Sequence, residues 1–344
     1  MTDHSIPTML ATPAMLAAIR SLPKVELHVH LEGAIAVHRI VEFAARSGEP
    51  LKKPVASLFR TRTLDEFLAN LDWVCSLVRS EQLAHDVAMD FARYAAAEGI
   101  SYAEVIVNPT HWQGMQPDSL LAAICAGFDD AQAAGLCDLR LLPSVLRQQS
   151  LEEAMRLVDI MHSLQQPRIL GLSVDGNQAR AVDSSQRLAP AFARAAELGF
   201  GRTVHAGESS GPDGVEAAID LLGANRIDHG VRAAEDPALV ARLAREQVTL
   251  NICLSSNCHL LYPDVEAHPI RTLMAAGVRC TLNTDDPVVL GTTLCHELFW
   301  AANALDWDMA MLAGLQRNAI AAAFCSAEDK AALVQRLDSF LAGA

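Results

Sequence analysis

The sequence has no run of 18 apolar residues, no Cys-x-x-Cys pair and no excess of basic charge. Each absence closes off a class of function. A helix that crosses a bilayer needs about 20 consecutive, mainly apolar residues, so no membrane span is predicted. Its eight cysteines, Cys75, Cys125, Cys137, Cys253, Cys258, Cys280, Cys295 and Cys325, are scattered. Several sit in apolar runs such as LNICLSS (250–256), which suits buried free thiols and predicts a reducing, cytoplasmic setting. The stretch MTDHSIPTMLATPAMLAAIR (1–20) lacks the basic n-region and long apolar h-region of an export signal, in line with that expectation. Acidic residues outnumber basic ones 41 to 27, a net charge of −14. Such a surface repels phosphate backbones and anionic lipid, so neither nucleic acid nor membrane is expected as a partner, and a neutral small molecule is admitted more easily. Low-complexity tracts, charge blocks and linkers rich in Pro, Gly or Ser are missing too. Nothing divides the chain, and a single domain over residues 1–344 is predicted.

What is present is a recurring unit. Short apolar runs stand at 25–30 (VELHVH), 101–107 (SYAEVIV), 139–146 (LRLLPSVL), 169–175 (ILGLSVD), 202–206 (RTVHA), 226–230 (RIDHG), 248–254 (VTLNICL) and 279–285 (RCTLNTD). Between them lie longer segments with apolar residues at spacings of three and four, several closed by Gly, a helix stop. Eight runs in βα alternation predict a parallel (β/α)8 barrel ringed by helices. The long interval 31–100 is expected to hold extra helices, and the tail after about 286 reads as helical.

Several of these runs end in groups that strands do not need. VELHVH places His28 and His30 on one face of a strand, about 6.5–7 Å apart. Run five leads into His205 and Glu208, run six into Asp228-His229, and run eight into Asp285-Asp286. In a barrel the C-terminal ends of all strands open on one face, where active sites lie, so groups scattered in sequence converge. Three imidazoles and one carboxylate suit zinc, which binds N and O donors at about 2.0–2.2 Å and, in catalytic sites, keeps a position open for water. Glu208, His229 and the second Asp are then left for proton transfer. His229 is placed to orient or deprotonate the water, and Glu208 to meet the substrate. Runs three, four and five contain no Lys to bridge a second ion, which favours one metal per chain.

The motifs ELHVHLEG, TVHAGESSGPDGVEAAIDLLG, RIDHGV and LNTDDP, in this order, resemble the adenosine deaminase family of the metal-dependent amidohydrolase barrels. The likeness extends to FLANLDWV (67–74) and YAEVIVNP (102–109). It implies that His28, His30, His205 and Asp285 hold zinc, one ion per chain. It also implies that Glu208 protonates the purine N1, that His229 holds and deprotonates the attacking water, and that Asp286 lies near that water and N7. Gly176 is implied to meet N3 through its backbone N–H. The implied reaction is hydrolytic deamination of a 6-aminopurine nucleoside, adenosine or a modified adenosine, to the inosine-type product and ammonia. Free adenine and aminodeoxyfutalosine are the alternatives; a non-deaminating amidohydrolase and an inactive binding protein are the rivals from other classes. Three departures bear on the substrate. Glu32 stands where adenosine-specific members carry the Asp that contacts ribose, Asn177-Gln178 replaces an acidic pair, and Asp228 replaces a Gly. Zinc chemistry survives these changes, while ribose recognition by Glu32 does not follow from them.

Overall fold

The computed structural model describes residues 13–59 and 64–343. The first twelve residues, which carry much of the export-signal expectation, lie outside it. Eight strands form one parallel sheet in chain order: β1 (Lys24–His30), β2 (Ile100–Val107), β3 (Asp138–Leu146), β4 (Gly171–Asp175), β5 (Gly201–Ala206), β6 (Arg226–His229), β7 (Thr249–Ile252) and β8 (Arg279–Leu282). The predicted (β/α)8 barrel is what the chain forms. All eight apolar runs are strands, buried on both sides between core and helices, which is why they read as nearly continuous apolar runs.

Strand β7 stops where the helix Leu254–Leu260 begins; β8 also stops earlier than its apolar run, and there the reason lies in side chains. Asn283 Oδ1 accepts the N–H of Leu27 at 2.9 Å, and its Nδ2 donates to the Ile252 carbonyl at 3.2 Å. Glu26 Oε1 accepts the N–H of Thr284 at 2.9 Å. These groups replace the backbone ladder between β8 and β1. The ring then closes one step later, where His30 N–H donates to the Asp285 carbonyl at 2.7 Å and Asp285 N–H to that of His28 at 3.2 Å. Closure thus ties two candidate site residues of β1 to one beyond β8.

Helices fill the interval before β2, at Val37–Ser47, Leu64–Ser76 and Glu81–Ala97, and the tail, at Leu294–Leu305, Met309–Ala322 and Ala327–Gly343. Their ends follow from local chemistry. Gly48, at φ +72°, closes the first, a conformation that favours Gly. Ser150 and Glu153 form a reciprocal capping box on the helix Leu151–Leu164. At the N-terminal end of the barrel Phe324 acts as a plug. The Arg226 guanidinium lies 3.9 Å over its ring and pairs with the buried Glu104. A Cβ at Gly201 would come within 2.5 Å of that ring, so only Gly permits this approach. Among the described residues no helix is long and apolar enough to cross a membrane.

Candidate active site and metal centre

At the opposite, C-terminal end, the predicted residues do converge. His28 and His30 come from β1, His205 from β5, His229 from the last position of β6, and Asp285 from just beyond β8. Asp285 Oδ1 lies 3.2 Å from His28 Nε2 and 3.5 Å from His30 Nε2. His30 Nε2 lies 3.0 Å from His205 Nε2. A tetrahedral ion with bonds of about 2.0–2.1 Å holds its donors roughly 3.3 Å apart, so these spacings suit one ion. The buried His28 Nε2 has no hydrogen-bond partner among the described residues, as a nitrogen held for a cation would. His229 also belongs to the cluster: with His28, His205 and Asp285 its ligating atoms lie within 4.8 Å of one another. Five groups therefore crowd a site that the sequence assigned to four.

Partners behind the imidazoles set their direction. His205 Nδ1 faces Asp228 Oδ2 at 3.3 Å. His28 Nδ1 faces the Asn251 carbonyl at 3.4 Å and Asp228 Oδ1 at 3.8 Å. Oxygens on the Nδ1 side favour a proton there and turn Nε2 inward, the usual arrangement behind metal-bound histidine. Asp228 is itself fixed by Thr203 Oγ1 at 2.7 Å and Asn251 Nδ2 at 2.8 Å. Burial would raise its carboxyl, but His28, His205 and Arg226 hold it well below the usual range. His28 is likewise pulled down by burial, yet Asp228 and Asp285 carry it up to about 9. The pocket thus demands a positive charge between its carboxylates. Two of the residues sit in the left-handed region, His229 at φ +66° and Asp285 at φ +63°, a conformation that costs non-glycine residues about 1–3 kcal/mol and clusters at functional sites.

Glu208 lies beyond β5, with Oε1 3.6 Å from His229 Nε2. Burial, helped by Asp285, pushes its carboxyl up to about 7, the range of a group that can give a proton near neutral pH. Burial pushes His229 down to about 3, so its ring is neutral. Asp286 is raised well above the carboxylate range by burial and by Asp285 and Glu32. Gly176 follows β4 at φ +89°. All of these line a cavity of about 810 Å³, together with Glu32, His111 and Asp175. Glu32, only 2% exposed, lies at the foot of the wall. Its Oε1 accepts the Asn108 N–H at 2.7 Å and Trp112 Nε1–H at 2.8 Å. Oε2 has no partner among the described residues.

Sequence reasoning passed over four residues that support this site. It noted Asp228 among the strand-end groups and as a departure but gave it no role, and it noted Gln178 only as a lost charge. Gln178 is buried and grips Glu208: its Nε2 donates to Glu208 Oε2 at 3.2 Å, while its Oε1 accepts the N–H groups of Glu208 at 3.1 Å and Ser210 at 3.2 Å. Asn177, its neighbour, is exposed and only caps Ala179 N–H. Asn257 and His268, behind His229, carried no signal at all, since neither stands at the end of a strand.

The profile of the family described as adenosine deaminase matches residues 23–340. The chain belongs to the adenosine deaminase family. Among its curated relatives is an adenine deaminase of Cupriavidus necator, 35% identical over 346 residues, covering 96% of each chain. Another is an adenine deaminase of Rhodospirillum rubrum, 33% identical, covering 96% of this chain and 99% of its own. Solved structures of family likeness include the adenine deaminase of Arthrobacter aurescens (TM-score 0.87, 27% identity, 93% of this chain and 99% of that one). An amidohydrolase of Burkholderia ambifaria, solved with bound Zn, aligns with TM-score 0.89 at 28% identity, over 98% of this chain and 96% of that one. The N6-methyl-AMP deaminase of Arabidopsis thaliana aligns with TM-score 0.82 at 26% identity, over 94% and 98%. The barrel is thus that of an adenosine deaminase family member.

Proposed function

We propose that the chain hydrolytically deaminates a 6-aminopurine, with free adenine as the substrate, and that His28, His30, His205 and Asp285 hold one zinc ion. Zinc at such a site supplies Lewis acidity, which brings the pKa of water toward about 7. His229 holds the attacking oxygen through its ring nitrogen. Glu208 gives its proton to N1 as water adds to C6. Charge that would build on the ring is thereby neutralised in the transition state rather than the ground state, which is what accelerates the step. The proton that the water loses returns to the Glu208 carboxylate; when the tetrahedral carbon collapses, Glu208 gives it to the departing amine and takes that of the C6 hydroxyl, so ammonia leaves and the 6-oxopurine remains. Asp286, its carboxyl raised by burial and by Asp285 and Glu32, faces N7, and the Gly176 N–H meets N3.

The choice of base over nucleoside rests on Glu32. One of its oxygens is occupied by Asn108 and Trp112, which draws the carboxyl into the wall. Its other oxygen is buried and unpaired, and leaving such an acceptor unsatisfied costs about 1–3 kcal/mol. Free adenine offers a ring N–H on its imidazole edge to satisfy it, whereas a nucleoside carries a sugar there. Relatives named adenine deaminase support the same choice. The cavity of about 810 Å³ is larger than a bare purine requires and favours the second reading, a nucleoside. The two separate on Glu32→Gln and Glu32→Asp. For a base-reading Glu32, both variants lower kcat/KM for adenine at least about tenfold, the size of one lost charge-assisted hydrogen bond. If Glu32→Asp instead raises the adenosine rate and leaves that of adenine unchanged, position 32 reads the sugar and the nucleoside is the substrate.

A further inference from the structure

Behind His229 runs a chain of three hydrogen bonds whose direction is set at its far end. The Ile270 backbone N–H can only donate, and it donates to His268 Nδ1 at 3.1 Å. His268 is 3% exposed and packs edge-on against Tyr262, ring centres 5.0 Å apart. Burial pushes its ring down to about 3, so the ring is neutral. A neutral ring with Nδ1 accepting carries its proton on Nε2. His268 Nε2–H therefore donates to Asn257 Oδ1 at 3.2 Å. That orients the fully buried Asn257 amide and turns its NH2 toward His229 Nδ1, 3.1 Å away. His229 Nδ1 must accept, and a ring whose Nδ1 accepts carries its proton on Nε2.

We infer that Asn257 and His268 are positioning residues that lock His229 as the Nε2–H tautomer. His229 then presents an N–H, not a lone pair, to the centre of the site. This inference rests on the deaminase reading above and deepens it. It explains why His229 stays out of the ligand set although it lies among the ligands, since a protonated Nε2 cannot bind a metal ion. It also makes His229 a donor that holds an attacking oxygen by hydrogen bond, not the acceptor of its proton. His28 and His205 have oxygens behind Nδ1, which favour a proton there and turn Nε2 inward. His229 has a donor behind Nδ1 and presents a proton. The division of labour among the three rings is written in the residues behind them.

The test is the ring-nitrogen spectrum of His229 in the full chain labelled with 15N-histidine. It is recorded metal-free and with zinc added, with the signal assigned by its loss in His229→Gln. The expected pattern is an unprotonated Nδ1 and a protonated Nε2 in both samples. Asn257→Asp replaces the amide donor by a second acceptor, and the pattern should invert. His268→Phe should give mixed tautomers and a kcat at least about tenfold lower, with KM within about twofold. His268→Gln retains an N–H for Asn257 and should restore both. A protonated Nδ1 in the wild-type chain overturns the inference, as does an unchanged pattern in a folded Asn257→Asp. If that variant does not fold, the wild-type spectrum alone decides. A chain that shows the expected spectrum but releases ammonia from no aminopurine refutes the deaminase reading and leaves the tautomer lock standing.

Discussion

Glu208 and His229 face each other across 3.6 Å and depend on different supports. Gln178 holds the first from one side; Asn257 holds the second from the other. Glu208→Gln keeps the shape but cannot donate a carboxylic proton. It is expected to retain metal and lose about 10²–10⁴-fold in kcat, the range of general acid–base groups. Elemental analysis beside an ammonia-release assay checks both halves, and turnover within threefold of wild type would remove Glu208 from the reaction. His28→Ala opens the donor set and should lose metal and activity together. At this scale the sequence was legible where chemistry is unusual. Imidazoles and carboxylates at the ends of apolar strands have few other reasons to be there, and eight of them line or adjoin the site. Gln178, Asn257 and His268 were not legible. They are ordinary polar residues, and their roles exist only through partners brought close by folding, 30 residues away for Gln178 and Glu208.

Elements position these groups by contact between loops as much as by strands. The short turn Glu32–Ala34 after β1 presses on the segment after β8. A Cβ added at Gly33 would lie 1.9 Å from Asp286 Oδ1 and 2.5 Å from its Cβ. Because the Cβ is involved, a rotamer change does not relieve the clash; the backbone at 286 must move. Gly33→Ala is therefore expected to cost about 1–3 kcal/mol of stability, as overpacking does, and to lower kcat/KM at least about tenfold by displacing Asp286. Thermal melts and steady-state kinetics on the same preparation separate the two effects. A variant with wild-type kcat/KM would show that Asp286 is not held by this contact. The eight strands were legible because a strand buried on both sides must be apolar throughout. Where β8 ends was not, because Asn283 and Glu26 satisfy backbone groups with side chains, and no pattern of hydropathy records that.

Across the whole molecule the two ends of the barrel divide stability from chemistry, as the fold generally does. The N-terminal end is closed by Arg226, Glu104 and Phe324, all far along the chain from one another. Arg226→Met leaves Glu104 buried without its cation, a change that typically costs about 3–5 kcal/mol. It should lower the melting temperature, read in thermal melts of the full chain. A matching loss of specific activity would mean that the two ends are coupled. Barrel architecture was legible from the count of eight βα units, but this plug was not, since Phe324 lies in the helical tail and meets the barrel only in space. The C-terminal end carries the central claim: one metal, and a 6-aminopurine base bound against Glu32. The most direct measurement is ammonia release from adenine and from adenosine by the same protein, as purified and after complete chelation, with its metal content determined. The account predicts one zinc per chain, kcat/KM for adenine at least about a hundredfold above that for adenosine (roughly 2.7 kcal/mol), and no turnover without metal. Adenosine outpacing adenine, two metals per chain, or full activity after chelation would contradict it.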